Sequence, residues 1–445
     1  GQIKALWIAC TNPAQSMPDQ HAVREALQAC PFVVLQEAFR TTETAPFADL
    51  LLPAASWGEK EGSVTNSERR ISHVRQAILP PGEARPDWAI TVDFAQRLEQ
   101  RLRPHQPSLF AFQHPAQLFD EYKQLTHGRD LDLSGISHQL IDELGPQQWP
   151  FPAGARQGTA RLYGDGIFPT ANGRAQFVAD PYCAAKEQRD ARFPLTLITG
   201  RLRDQWHGMS RTGTAAQLFG HVGEALLSLH PDELRRQRLQ PGDLVNLKSR
   251  RGAVIVAVGS DDGVRPGQAF LPMHWGERFL KGGVNSLTLA AFDPLSKQPE
   301  LKHSGVRLEP VKLPWQLFAL IEGDVQRHFE TLRPLCEAFS YVSLSLAGRE
   351  RPALLIRAAS ATAPEPQLLR DIDQCLSLLD GPVLAYDDPR RAIGKRVRIE
   401  NGRITAIRLA GETLAQHWLQ GLWLEGRADE QLRRWLLAPM SAPPG

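Results

Sequence analysis

Cysteine is scarce in this chain: five residues in 445, at Cys10, Cys30, Cys183, Cys336 and Cys375. They lie far apart, none forms a CxxC pair and the count is odd. That excludes a disulfide framework, a cysteine-based zinc site and a complete iron–sulfur motif, and a reducing cytoplasm is the natural compartment. No run of about 18 apolar residues is present, so no stretch reads as a membrane-spanning helix. Net charge is also missing, since 51 basic and 49 acidic residues leave +2, which provides no field for nucleic acid. There is no GxGxxG and no phosphate loop, which makes NAD or a generic nucleotide a weak reading. His105, His114, His127 and His138 lack metal-like spacing and are read as ordinary surface or core residues. The chain opens at Gly1 without a charged n-region or cleavage site and reads as a fragment.

What is present is long enough for two or three domains with substantial cores. IKALWIAC reads as a strand and TNPAQS as a turn. PDQHAVREALQAC reads as a helix with Ser16 at its N-cap and Pro18 and Asp19 in the first turn, and PFVVLQEAF as a second strand. FADLLLPA has the composition of a buried third strand whose pairing stops near Pro53. Such a βαβ order predicts a parallel sheet, with ligands beyond the carboxyl ends of its strands. Asn12, Gln36, Glu37 and Lys60 fall there. Plainer alternatives stand beside these: TNP is good turn chemistry by itself, Glu37 can be a strand-end charge, the loop bearing Lys60 can be a solvated surface loop, and Asp87 can cap a helix beginning near Pro86.

The stretch from Thr44 to Arg70 concentrates Gly58, Gly62 and the donors Lys60, Asn66 and Arg69, a composition suited to phosphate or carbonyl oxygens. A second dense stretch, LTLITGRLRDQWHGMSRTG, ends a buried strand at Thr199 and Gly200. It releases Arg201, Gln205, Trp206 and His207 on a polar, aromatic loop. Between the two, GTARLYGDGIFPTANGRAQFVA reads as a hairpin. LQPGDLVNLKSRRGAVIVAVGS, with PGD and RRG turns, reads as part of a small β-barrel, and NSLTLAAFDPLSKQPELK carries Asn285 and Lys302. From about residue 312 strand-like runs alternate with acidic or Pro-rich turns, ending in a hairpin turned at Asn401-Gly402 and a Pro-rich SAPPG end of linker type.

TA, AD, LP, EKEG and Asn66 in this spacing, with TGR and WH, resemble the signature of the prokaryotic molybdopterin oxidoreductases, the dimethyl sulfoxide reductase family. YDDPRRAIGKRVRIENGRITAIRLAGET resembles a segment of assimilatory nitrite and nitrate reductases that precedes a small iron–sulfur module. The resemblance implies an α/β fold: a Rossmann-like domain over 1–185, a double-psi β-barrel over 190–311 that binds molybdopterin dinucleotide, and a small α+β domain over 312–445. It implies a molybdenum bis(molybdopterin guanine dinucleotide) cofactor contacted by Asn12, Gln36, Glu37, Lys60, Asp87, Thr199, Gly200, Arg201, Gln205, Trp206, His207, Asn285 and Lys302. A 4Fe-4S cluster is expected in a preceding part. The implied reaction is two-electron reduction of nitrate to nitrite, fed by an NADH/flavoprotein or ferredoxin-type donor. A related formate dehydrogenase and a metal-free structural subunit of the same fold are the alternatives.

Overall fold

In the computed structural model, residues 2–426 and 430–443 are described. Gly1, Pro444 and Gly445, which bear on the fragment reading and the Pro-rich end, lie outside the described residues. The chain opens with β1 (Leu6–Ala9), α1 (Pro13–Ser16), α2 (Gln20–Ala29), β2 (Val33–Glu37) and β3 (Leu50–Pro53). The three strands pair in parallel in the order β1-β2-β3. The third stops at Pro53, whose ring nitrogen has no proton for the ladder.

Three local expectations fail here. TNPAQS is not a turn but a helical one, because Pro13 sits where a helix leaves its first N–H unused. Ser16 closes that short helix, its hydroxyl donating to the Asn12 carbonyl at 3.0 Å, so Asp19 stands at the N-cap of α2 instead. And β3 is not a buried strand: it is an edge of its sheet, with Leu50 and Leu51 each 44% exposed.

The next layer holds β4 (Gly62–Thr65), β5 (Arg70–Val74), α3 (Asp87–Leu102), α4 (Pro115–Gln124), α5 (His138–Leu144) and β6 (Gln147–Gln148). The strands pair antiparallel as β4-β5-β6. Ile71, Phe119, Ile136, Ile141 and Phe151 form their shared core. The segment 158–179, read as a hairpin, has no strand; its turns fold on themselves and leave Phe177 99% exposed. With no apolar face turned inward, it has nothing to pair against.

A closed barrel follows, built from β7 (Leu195–Gly200), β8 (Leu226–Leu229), α6 (Pro231–Gln237), β9 (Leu244–Lys248), β10 (Ala253–Ser260), β11 (Gln268–Pro272) and β12 (Ser304–Pro310). Its strand order is β10-β8-β11-β7-β12-β9, mixing parallel and antiparallel pairs. Alternate residues such as Leu195, Leu197, Val245, Leu247, Val254 and Val256 are sealed inside, each worth about 1.5–3 kcal/mol of transfer from water.

The last unit is a six-stranded antiparallel sheet of β13 (Trp315–Glu322), β14 (Tyr341–Ala347), β15 (Ala353–Ser360), β16 (Val383–Asp388), β17 (Ile393–Glu400) and β18 (Arg403–Ala410). The runs of β13 are apolar on both faces because both are covered. Leu317 and Ala319 join the core with α7 (Val325–Leu335) and α8 (Pro366–Cys375); Phe318 and Leu320 join the one under α9 (Gln416–Glu425). The β17-β18 turn is the Asn401-Gly402 hairpin, with both residues at positive φ, as a two-residue turn of this kind requires.

Candidate functional site

The carboxyl ends of β1 and β2, the first turn of α3 and the loop after β7 enclose a cavity of about 250 Å³. At its floor, Gln36 is 2% exposed; its Nε2 donates to Asp87 Oδ1 at 2.8 Å, while its Oε1 has no partner among the described residues. Lys60 holds the other oxygen of the same carboxylate, Nζ to Oδ2 at 2.6 Å, and the Cys10 thiol donates to Oδ1 at 3.6 Å. Asp87 is the first residue of α3, where the helix end also favours negative charge. Burial raises its pKa, but the hydrogen bonds from Lys60 and Gln36 outweigh it and hold the carboxyl below the ordinary aspartate value. Glu37 goes the other way. Burial pushes its carboxyl up, against the pull of the Ala38 and Phe39 amides and of Arg211.

The opposite wall is the loop after β7. The Trp206 and His207 rings meet edge to face at 4.4 Å, and the Arg211 guanidinium lies 4.7 Å over the Trp206 ring. The loop is bracketed by His274, fully buried, whose Nδ1 donates to the His207 carbonyl at 2.7 Å and whose Nε2 accepts from the Leu202 amide at 2.8 Å. Those two partners fix one neutral tautomer. Burial keeps the pKa of His274 below the usual histidine value despite the His207 carbonyl, and burial with the Arg201 charge does the same for His207. Cys10, just past the end of β1, and His207, within the loop after β7, are non-glycine residues with positive φ at the cavity. Backbone held this way against its preference is common at functional sites.

Of the residues singled out from sequence, Asn12, Gln36, Glu37, Lys60, Asp87, Trp206 and His207 line this one cavity. Asn12 does so with its side chain already committed: Nδ2 donates to Glu43 at 2.7 Å, and Oδ1 accepts from the Thr44 hydroxyl at 2.7 Å. The others stand outside its lining. Thr199 is buried, with its hydroxyl on the Leu301 carbonyl. At Gly200 a Cβ would stand 2.6 Å from the Phe270 ring, so close packing accounts for it. Gln205 is buried behind the loop and donates to the Leu218 carbonyl. Asn285 is buried and donates to the Gln15 carbonyl, tying the barrel to the first sheet. Arg201 and Lys302 are exposed. Asn66 and Arg69 are used by the chain itself: Asn66 closes the β4-β5 turn, and Arg69 donates to the Thr159 and Ala160 carbonyls. Cys10, Gln15 and Arg211 also line the cavity and were not found by sequence; Arg211 lies four residues past the WH pair, and only the folded loop returns it to Trp206.

Residues 1–97 match the family model described as molybdopterin oxidoreductase, and residues 195–305 the model described as molydopterin dinucleotide binding domain. The chain is 39% identical to a nitrate reductase of Klebsiella oxytoca, over 79% of this chain and 40% of that protein. It is 32% identical to the assimilatory nitrate reductase catalytic subunit of Bacillus subtilis, over 70% of this chain and 42% of that protein. Its identity to the F420-dependent formate dehydrogenase subunit alpha of Methanocaldococcus jannaschii is 34%, over 69% of this chain and 43% of that protein. The chain thus spans about two fifths of the length of these relatives. Among solved structures, acetylene hydratase from Pelobacter acetylenicus is similar in fold, with a TM-score of 0.50 at 16% identity over 69% of this chain and 44% of that one.

Proposed function

The chain belongs to the molybdopterin oxidoreductase family, and from that premise we propose that its cavity holds part of a molybdopterin guanine dinucleotide in an enzyme that reduces nitrate to nitrite. The observation that carries the reading is the convergence of Gln36, Glu37, Lys60, Asp87, Trp206, His207 and Arg211 on one cavity at strand ends. Its donor set suits the group. Lys60 and Arg211 offset phosphate charge, Lys60 exchanging its Asp87 partner for the ligand. The partnerless Gln36 Oε1 accepts from a ligand N–H, and the Glu37 carboxylate accepts from paired guanine or ribose donors. Trp206 and His207 form a ring wall that excludes water. About 250 Å³ is below the range of roughly 300–1,000 Å³ typical of whole-ligand pockets, so this chain encloses one end of the dinucleotide.

When bound, the molybdenum–pterin group supplies two-electron oxygen-atom transfer; the residues of this chain bind, orient and shield it. In this reading there are two such dinucleotides, and the exposed Arg201 and Lys302 contact the parts outside the cavity, while Thr199, Gln205 and Asn285 position the segments that carry those contacts. The 4Fe-4S cluster and the docking of the electron donor belong to the length of the relatives that this chain does not span. The first unit is a partial Rossmann-like domain, ending near 185, and the barrel, over 190–311, is of the double-psi kind. Nitrate is favoured over formate because the identity to the Klebsiella oxytoca protein extends over more of this chain than that to the formate dehydrogenase. The experiment is a paired assay of the protein in its full-length context, measuring nitrite formed with reduced viologen and formate oxidised with oxidised viologen. Nitrite formation alone supports the proposal; formate oxidation alone replaces it with the dehydrogenase reading.

A further inference from the structure

Behind the loop that carries Lys60, three side chains outside the cavity converge: Glu61 just before β4, His73 on β5 and His138, the first residue of α5. One ligand atom from each lies within 4.8 Å of the other two. Glu61 Oε1 is 3.2 Å from His73 Nε2 and 3.7 Å from His138 Nδ1. Around a tetrahedral zinc ion with bonds of about 2.0–2.2 Å, ligand atoms are about 3.4 Å apart, so these two edges are close to the required length. The remaining nitrogens of both rings are already held: His73 Nδ1 is 2.9 Å from Asp142 Oδ1, and His138 Nε2 is 2.8 Å from the Ser63 hydroxyl. Asp142 is itself held by Arg75. A carboxylate or hydroxyl behind each imidazole is the usual support for a metal-ligating histidine.

A proton alone does not account for the arrangement. One on His73 Nε2 would pair with Glu61, but His138 is 9% exposed and its Nδ1 has no hydrogen-bond partner among the described residues. A divalent ion would engage all three atoms. We propose that Glu61, His73 and His138 bind one zinc ion, or a similar divalent transition-metal ion, with water completing its coordination. The rings now stack at 4.1 Å with planes 18° apart; imidazole lone pairs lie in the ring plane, so binding one ion turns the two rings out of this stack, with the Asp142 and Ser63 contacts readjusting to the turned rings. The ion ties the end of the Lys60 loop to β5 and to α5, a brace for the cavity wall that is independent of the functional reading above.

The test uses the protein in its full-length context, stripped with chelator. It is then titrated with Zn²⁺ by calorimetry and with Co²⁺ by visible absorption, which reports tetrahedral coordination. One saturable site is expected, weakened at least tenfold by Glu61→Gln and by His138→Gln. The Glu61 side chain is 46% exposed, so Glu61→Gln keeps the test meaningful even where a histidine variant fails to fold. Absence of saturable binding overturns the proposal, as does an affinity that Glu61→Gln leaves unchanged, which would place the ion elsewhere.

Discussion

Lys60 and Asp87 are 27 positions apart, and their pairing sets the chemistry of the cavity wall. The depressed pKa of Asp87 makes a pH prediction. A group whose folded pKa lies below its unfolded value of about 3.9 stabilises the fold above that pH, and the contribution is lost as pH falls through the folded pKa. The difference in urea midpoint between the native protein and Asp87→Asn should therefore be constant from neutrality to about pH 4 and shrink below it; parallel curves throughout would show that Asp87 is not selectively stabilised by Lys60 and Gln36. Arg201 yields a different prediction. It is exposed and makes no hydrogen bond among the described residues, leaving its planar fork free for a ligand. Arg201→Lys is expected to lower cofactor occupancy and activity together, and equal values in the two proteins would leave it a surface charge. At this scale the sequence was legible where signals are local, as in EKEG. It was silent on His138, because the fold alone brings that ring to His73, 65 positions back.

Elements were legible in proportion to how completely their neighbours lie nearby in sequence. The β17-β18 hairpin needed only alternation and Asn401-Gly402, and β9-β10 needed only its turn. FADLLLPA reads as buried although β3 is an edge, because an apolar run does not reveal which face is covered, and TNPAQS reads as a turn because proline serves a helix start as readily as a turn. The C-terminal sheet hides a feature no pattern announced: Arg408 and Asp373, each 2% exposed, pair across β18 and α8, with Arg408 Nε donating to Asp373 Oδ1 at 2.8 Å. Removing one partner strands the other charge in the core, so Asp373→Asn should cost about 3–5 kcal/mol. Replacing both with apolar residues of similar volume should recover most of that loss in denaturant melts. A single variant as stable as the native chain would show that the pair is solvated in solution.

For the whole molecule, the first unit and the barrel meet around a cavity that neither completes, and the last unit, with its six-stranded sheet, packs against both. Asn285 of the barrel bonds the Gln15 carbonyl of the first unit, and Arg278 donates to the Thr41 hydroxyl at 2.6 Å and to Gln326 at 3.2 Å, joining the first unit, the barrel and the last sheet. The five cysteines remain apart as free thiols. Because the chain spans about two fifths of the length of its nitrate reductase relatives, the 445 residues alone are expected to form no nitrite from nitrate with reduced viologen. Sustained turnover by the 445 residues would show that they hold everything the reaction needs.

The most direct test of the central claim, that the cavity at the strand ends binds the dinucleotide, is the guanine and molybdopterin content of the purified full-length protein with and without Lys60→Ala. Losing one charged contact to phosphate costs about 1.5–3 kcal/mol, which is over tenfold in affinity. Under dilute conditions with competing apoprotein, the variant is expected to stay folded but lose most of both. Full and equal content in the two proteins would contradict the claim and put the dinucleotide elsewhere.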